Sequence, residues 1–511
     1  MARSVRAAFL GGVSGVWLFA WCSGARAADI DVQSDTSAQF YDVRSPTGET
    51  ILSRRRLTST LSVSGFDLLD RPLSDPSAPQ LLLRARVRYD GDYGANGGES
   101  DVTNFGRLVP GFNPQQVDLM YGYIEGRRFL KGLVGFKIGR QYVTDVLGWY
   151  SFDGGEVRLT MPFNLAVEGY GGLEQRGGFP LSTSRFESDG IWRGNRAGYD
   201  PSLYPAFQQN DVAPVVAAAV EATGVTWLHA RLTYRRVLDT GASNTSEFAS
   251  GLYTPATYSG TRISSEKLGY SIDASFAQIG SARAGLIYDL YGAKFGSIYA
   301  NVDAFLGHGI TVGVDYQFYQ PTFDGDSIWN FFLSEPMNDV GVRAAWNATD
   351  RFGISAGGHG RIFTVQTSED QPNASPNLQT VPPYTTPTYF PSSPLTFDGG
   401  GDLQARYKFG EGHLALRASG NFGAEGDRVG GDINGQRVLD GRYVLQGRVS
   451  VWQWTDNLRP DRDAVSVGYV AGLGYRFAQR SQALFELQQD TNRLVGLRFR
   501  AMFYLTLAVT K

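Results

Sequence analysis

The sequence predicts an all-β chain: a single transmembrane antiparallel β-barrel of about 18–22 strands, with short periplasmic turns and long extracellular loops. Three observations carry that expectation. The N-terminus reads as an export leader, hydrophobicity alternates with period two along most of the chain, and the connections between alternating segments are by turns short and long.

The leader comes first. Arg3 and Arg6 give it a positive start, Ala7 to Ala20 is apolar with Gly and Ser spacers, and Ala25-Arg26-Ala27 is a small-x-small cleavage site. Residues 1–27 are therefore expected to be removed, leaving 28–511 as one barrel domain in the cell outer membrane. The single cysteine, Cys22, falls inside the leader. A mature chain without cysteine has no disulfides, no thiolate metal site and no covalent haem.

Composition narrows the class further. Charged residues make up 19% and aromatics 13%, and there are 63 glycines. The charged share lies below the roughly 25% of ordinary globular domains. No apolar run beyond the leader reaches the length of a membrane helix. A formal net charge of −3 gives no electrostatic basis for binding nucleic acid.

Alternation is clearest in three segments. From Gln80 to Asp90, Leu81, Leu83, Ala85, Val87 and Tyr89 share one face, while Arg84, Arg86, Arg88 and Asp90 share the other. Val465 to Phe477 sets Val465, Val467, Tyr469, Ala471, Leu473, Tyr475 and Phe477 against a face rich in glycine. The last segment aligns Val495, Leu497, Phe499, Ala501, Phe503, Leu505, Leu507 and Val509 against Arg498, Arg500, Tyr504 and Thr506. Similar patterns run through Thr226–Arg236, Ala282–Tyr291, Ile310–Tyr319, Leu403–Phe409 and Tyr443–Val451. Between Gly420 and Tyr443 the pattern does not resolve into strands.

Short turns are expected at Gly126–Arg128, Gly307–Gly309, Ala348–Asp350, Gly410–Gly412 and Ala478–Arg480. Long polar stretches run over Gly91–Pro114, Leu173–Asp211, Leu238–Ser264 and Thr367–Leu395. A soluble secreted all-β binding protein would also alternate. The aromatics near strand ends (Tyr89, Trp346, Tyr475, Phe477) and the successive arginines on the polar faces favour a barrel in lipid.

If the apolar stripes meet lipid, the opposite face lines the pore. The expected lining residues are Arg84, Arg86, Arg88, Arg140, Arg231, Arg235, Arg361, Arg406, Arg417, Arg448, Arg498 and Arg500, with Asp118, Asp289, Asp303 and Asp315. Arginine rings favour anions. Pairing of those arginines with neighbouring acids would cancel the preference.

Chemistry finds little purchase. Asp90-Gly91-Asp92 with Asp101 resembles a calcium loop but lacks a third ligand and the glycine spacing. The four histidines, His229, His308, His359 and His413, are not spaced as a metal pair, and alternation puts three of them beside the arginines. Neither catalysis nor a cofactor is expected.

Gly135-Phe136-Lys137-Ile138-Gly139-Arg140-Gln141, followed by Phe152-Asp153-Gly154, is similar to a strand–loop–strand pattern of Gram-negative porins and alginate-export-like barrels. Leu484–Leu487 with Leu497–Val509 resembles their closing hairpin, although this chain ends Ala508-Val509-Thr510-Lys511 where such barrels end on an aromatic residue. The resemblance implies an outer-membrane channel for passive diffusion of small hydrophilic solutes, anionic ones included, inserted by the cell's barrel-insertion machinery. It also allows a dedicated exporter of an acidic polymer, or the barrel sheath of an electron-transfer complex with a periplasmic or cytochrome partner.

Overall fold

A computed structural model of the chain describes residues 29–69, 78–93, 115–176, 212–240, 261–323, 336–364, 395–424, 426–457 and 460–510. Residues 1–28 and the interior of the longest loops lie outside these.

Twenty-two strands follow one another in the chain. The first seven are β1 (Asp29–Arg44), β2 (Thr50–Phe66), β3 (Gln80–Asp92), β4 (Gln115–Arg128), β5 (Val134–Asp145), β6 (Gly148–Met161) and β7 (Leu165–Glu174). Then come β8 (Pro214–Ala222), β9 (Leu228–Asp239), β10 (Arg262–Phe276), β11 (Gly280–Asp289), β12 (Lys294–Gly307), β13 (Ile310–Tyr319), β14 (Met337–Asn347) and β15 (Phe352–Thr364). The last seven are β16 (Leu395–Phe409), β17 (Gly412–Gly423), β18 (Arg428–Leu439), β19 (Tyr443–Trp454), β20 (Ala464–Ala478), β21 (Ser481–Asn492) and β22 (Gly496–Thr510).

Each strand pairs antiparallel with the next, and β1 pairs with β22 from Asp31↔Thr510 to Arg44↔Leu497. The sheet has no free edge. In lipid that closure is obligatory, because an unpaired backbone amide there finds no water to bond. The expected fold class holds, at the upper end of the expected strand count. The unresolved stretch after Gly420 is the end of β17, a tight turn and the whole of β18. Glycines at 430, 431 and 435 break the alternation there. The turn expected at Gly126–Arg128 instead lies within β4, and the chain reverses over Phe129–Leu133.

All but one of the connections that follow even-numbered strands have two to five residues, the exception being the one after β2. The five longest connections all follow odd-numbered strands. The short end is the periplasmic one by this asymmetry. Along the outer surface the side chains are apolar and exposed: Val87, Val117, Ile138, Val157, Val216, Val302, Val314, Val342, Leu416 and Val449 all point away from the lumen. A soluble protein would bury such a belt. Aromatics border it at both ends, as with Phe397 and Phe409 on β16. Twelve steps of strand separate those two, roughly 40 Å. Tilted as barrel strands are, this is about 30 Å along the membrane normal, the thickness of a hydrocarbon core.

The placement of the belt is testable on β19. Val449→Arg, at mid-strand on the outer face, is expected to lower folding stability in lipid vesicles by about 2–4 kcal/mol. Gln317→Arg, on the inner face of β13, should change it by about 0.5 kcal/mol or less. Urea titration of both variants in vesicles reads the difference.

Candidate functional site: a hairpin in the lumen

One hairpin does not stay in the wall. β4 and β5 pair only between Gly122↔Arg140 and Gly126↔Phe136, although both strands continue beyond that level. β6 and β7 stop pairing at Phe152↔Glu174. From Gln141 to Ser151 the two strands pair with each other, to Asp145↔Gly148, and the Ser151 carbonyl accepts from the Gln175 amide at 3.0 Å. This segment turns inward.

The bend is made by glycine. Gly139, Gly154 and Gly172 stand opposite one another in register across β5, β6 and β7. A Cβ on Gly139 would come within 2.3 Å of the Gly122 carbonyl oxygen, and one on Gly154 within 2.1 Å of the Gly171 carbonyl oxygen. Gly139 also has φ +130, a conformation that L side chains rarely adopt. With no side chains in this row, the three backbones approach closely where two of them leave the plane of the wall.

Once inside, the hairpin packs on the inner face of β7 to β10. Tyr150 and Phe152 are 0% exposed and form a cluster with Tyr170, Ala213, Val215, Ala217 and Val237. Phe152 stacks on Tyr170 with ring centroids 4.9 Å apart. The Arg235 guanidinium lies 4.3 Å from the Tyr150 ring centre and donates to the Leu147 carbonyl at 3.2 Å. At the tip, Val146 and Leu147 reach Gly269 of β10, where a Cβ would meet their side chains at 2.4 and 2.7 Å. The opposite face of the hairpin meets β4: Tyr142 stacks on Trp149 at 4.2 Å and lies edge-on to Tyr121 at 5.9 Å. Burying two large aromatics contributes roughly 1.5–3 kcal/mol each, enough to hold a short hairpin against the wall.

The expected lining residues fall into three groups. Most are paired. Arg86 reaches Asp35 at 3.3 Å, and Arg88 shares Asp90 with Arg56. Arg231 donates to Glu168 at 2.6 Å and to Glu221 at 2.9 Å, and Arg158 reaches the same two carboxylates. Asp303 and Asp315 clasp Arg343 at 2.8 and 3.2 Å. Arg361 meets Asp339, Arg448 meets Asp432 at 3.4 Å, and Arg500 donates to Gln488. Asp118 is buried opposite Arg88 in register, and Asp289 caps the Gly292 amide at 3.0 Å. The exposed pairs are worth about 0–1 kcal/mol each. The ion pairs cancel charge, whereas Arg500, bonded to the neutral Gln488, keeps its own.

A second group, Arg406, Arg417 and Arg498, makes no ion pair among the described residues, and Arg84 lies 5.9 Å from the Phe66 ring centre. Arg140 forms the third. Alternation puts it on the stripe of Ile138, which is exposed on the outer surface, so simple parity does not place it with the pore arginines. It sits where the hairpin leaves the wall, bonded twice to Asp153 at 2.8 Å and to the Leu119 carbonyl at 3.0 Å. Its role there is to brace the bend.

Sequence reading missed the hairpin aromatics. The available signal was β8, which reads PVVAAAVEA. A strand apolar on both faces is covered on both faces, and here the hairpin is the inner cover. The 177–211 part of the long polar stretch Leu173–Asp211 lies outside the described residues, as does Asp101 of the calcium-like stretch. Asp90 of that stretch is engaged by arginines.

A closed antiparallel barrel with an apolar outer belt and a polar inner face is the architecture of an outer-membrane β-barrel, and this chain is one. No protein-family model and no curated protein matches it. Among solved structures it is similar to Acinetobacter baumannii OccAB1 at 11% identity, over 96% of this chain and 99% of that one, with a TM-score of 0.38. It is similar to Pseudomonas aeruginosa OpdK, solved with vanillate, at 8% identity over 95% and 99%, TM-score 0.40. It is also similar to the Pseudomonas aeruginosa siderophore receptor PirA at 8% identity over 93% and 80%, TM-score 0.49.

Two measurements check the site. Tyr150→Ala empties a buried aromatic position, a loss of about 3–5 kcal/mol where the surroundings cannot collapse. Amide exchange over 141–151 should rise steeply in that variant while β12 to β22 keep their protection. Cysteines at the adjacent positions Arg417 and Leu416 should divide by reagent: the first labels with a water-soluble maleimide, the second only with a lipid-soluble one.

Proposed function

We propose that the protein is an outer-membrane channel for passive diffusion of small hydrophilic solutes, with a weak preference for anions, and that the β5–β6 hairpin sets its width. A barrel of more than about 16 strands is too wide for side chains from the wall to fill. Here the hairpin covers the wall from β7 to β10, and the far wall faces water. The observation that carries the reading is the exposure of inward-facing cations there: the side chains of Arg283, Arg343 and Arg448 are 67%, 42% and 52% exposed although each is on the inner face. A packed or plugged interior would bury them.

Selectivity then depends on which cations keep an uncancelled charge. Paired arginines contribute little field beyond a Debye length of about 8 Å. Arg406, Arg417 and Arg498 retain theirs, as does Arg500 beside the neutral Gln488, and they lie at different heights along the lumen, on β16, β17 and β22. A graded series of like charges lowers the barrier for the opposite sign without trapping it.

Proteoliposome swelling with neutral sugars of graded size tests passage, and a membrane potential in a salt gradient tests preference. Uptake should fall with solute size, and the reversal potential should report anions. Arg406→Gln, Arg417→Gln and Arg498→Gln together should move that potential toward zero while uptake of neutral sugars stays unchanged. Replacing 142–150 by a two-residue turn should raise the size cut-off and increase conductance on the order of twofold. No swelling by folded wild-type barrels would overturn the channel reading. An unchanged reversal potential in the triple variant would overturn the assignment of selectivity to those arginines.

A further inference from the structure

The outer surface of the barrel carries a recess that the channel does not use. Leu414, Gly435, Gly447, Ala471 and Leu487 stand opposite one another in register across β17 to β21. Their neighbours along each strand on the same face include Leu416 and Val449 on one side and Leu445 and Leu473 on the other, all exposed to the membrane. Three consecutive small residues between larger ones therefore make a trough in the apolar belt. Its volume is about 560 Å³.

One charged side chain borders it. Arg437 lies in the next row toward the periplasmic end, between Gly412 and Leu445 in register, and lines the same trough. It is on the outer face with Gly435 and Ile433, and it is exposed. Among the described residues it makes no ion pair, although most inner-face arginines near the hairpin have one. Its height is that of the aromatic border formed by Phe409, Tyr443 and Tyr475, where a membrane's polar headgroups begin. A cation facing lipid at that depth is costly unless an anion or water meets it.

We infer that this trough is a binding site for one phospholipid of the periplasmic leaflet. An acyl chain lies over Gly435, Gly447 and Ala471, and the phosphate accepts hydrogen bonds from the Arg437 guanidinium. The apolar trough alone would accept any hydrocarbon. The unpaired arginine at its interfacial end selects a ligand that has both an acyl chain and an anionic head, since guanidinium–phosphate pairs are charge-assisted and geometrically defined. Lipid of that kind is the occupant that satisfies both halves.

Native mass spectrometry of the intact barrel tests this after delipidation and reloading with phosphatidylglycerol or with diacylglycerol. Folding of each variant is checked by heat-modifiable mobility. The wild type should retain one phosphatidylglycerol in preference to diacylglycerol. Arg437→Gln should lower phosphatidylglycerol occupancy about tenfold and leave diacylglycerol unchanged. Gly447→Leu should lower both, and it is structurally tolerable because a Cβ there meets only the Val470 carbonyl at 3.7 Å. Equal retention of the two lipids by the wild type, or retention indifferent to both substitutions, would overturn the inference. So would a dimer of the barrel that Gly447→Leu abolishes, which would make a second copy of the chain the occupant.

Discussion

Everything in this molecule depends on closing one sheet in a solvent that cannot hydrogen-bond. Pairing of β1 with β22 over fourteen residues on each strand removes the last free edge, and with it the largest cost a membrane-embedded backbone could carry. Once that constraint is met, the two faces of every strand are assigned: apolar residues outward to lipid, polar residues inward to water. The inner face can then be spent on function, because the fold no longer needs it.

Among the described residues the hairpin is the place where the constraint is relaxed. β5 and β6 give up their outer partners above Arg140 and Asp153, and they do so only where each retains the other and where the site is inside the barrel rather than in lipid. The glycine row at 139, 154 and 172 permits the bend, the Arg140–Asp153 pair braces it, and the aromatic cluster around Tyr150 and Phe152 fixes where it ends. Packing against one wall leaves the opposite wall wet. On the proposed reading, a wide barrel becomes a passage whose bore is set by eleven residues, 141 to 151, instead of by the number of strands.

Much of the architecture was legible in the sequence because a barrel strand repeats one rule at every position. Ile310–Tyr319 was read to the residue as β13, and the long connections fell where polar, Pro- and Ser-rich stretches interrupt the alternation. The rule fails where glycine replaces one face, as in β18, and strand and turn then look alike. It also fails at the hairpin, since parity says which side of a strand a residue is on but not whether the strand has left the wall. Arg140 illustrates this: its stripe is the outer one, yet the bend changes what that stripe meets. The pairing of most pore arginines was likewise invisible, because partners such as Arg231 and Glu168 are distant in the chain and meet only through the register of three strands.

The account stands on the hairpin resting against β10 in a barrel that is open around it. Cys22 is the chain's single cysteine, so in a Cys22→Ser background a pair placed at Leu147 and Gly269 reports on that contact alone. Single-channel conductance of Leu147→Cys/Gly269→Cys, recorded oxidised and then reduced, measures both halves of the claim. We expect the disulfide to form readily and the oxidised barrel to conduct in large steps that reduction leaves unchanged. Failure to cross-link, or an oxidised barrel that is silent until reduced, would contradict it: the first would place the hairpin elsewhere, and the second would make it a closed door.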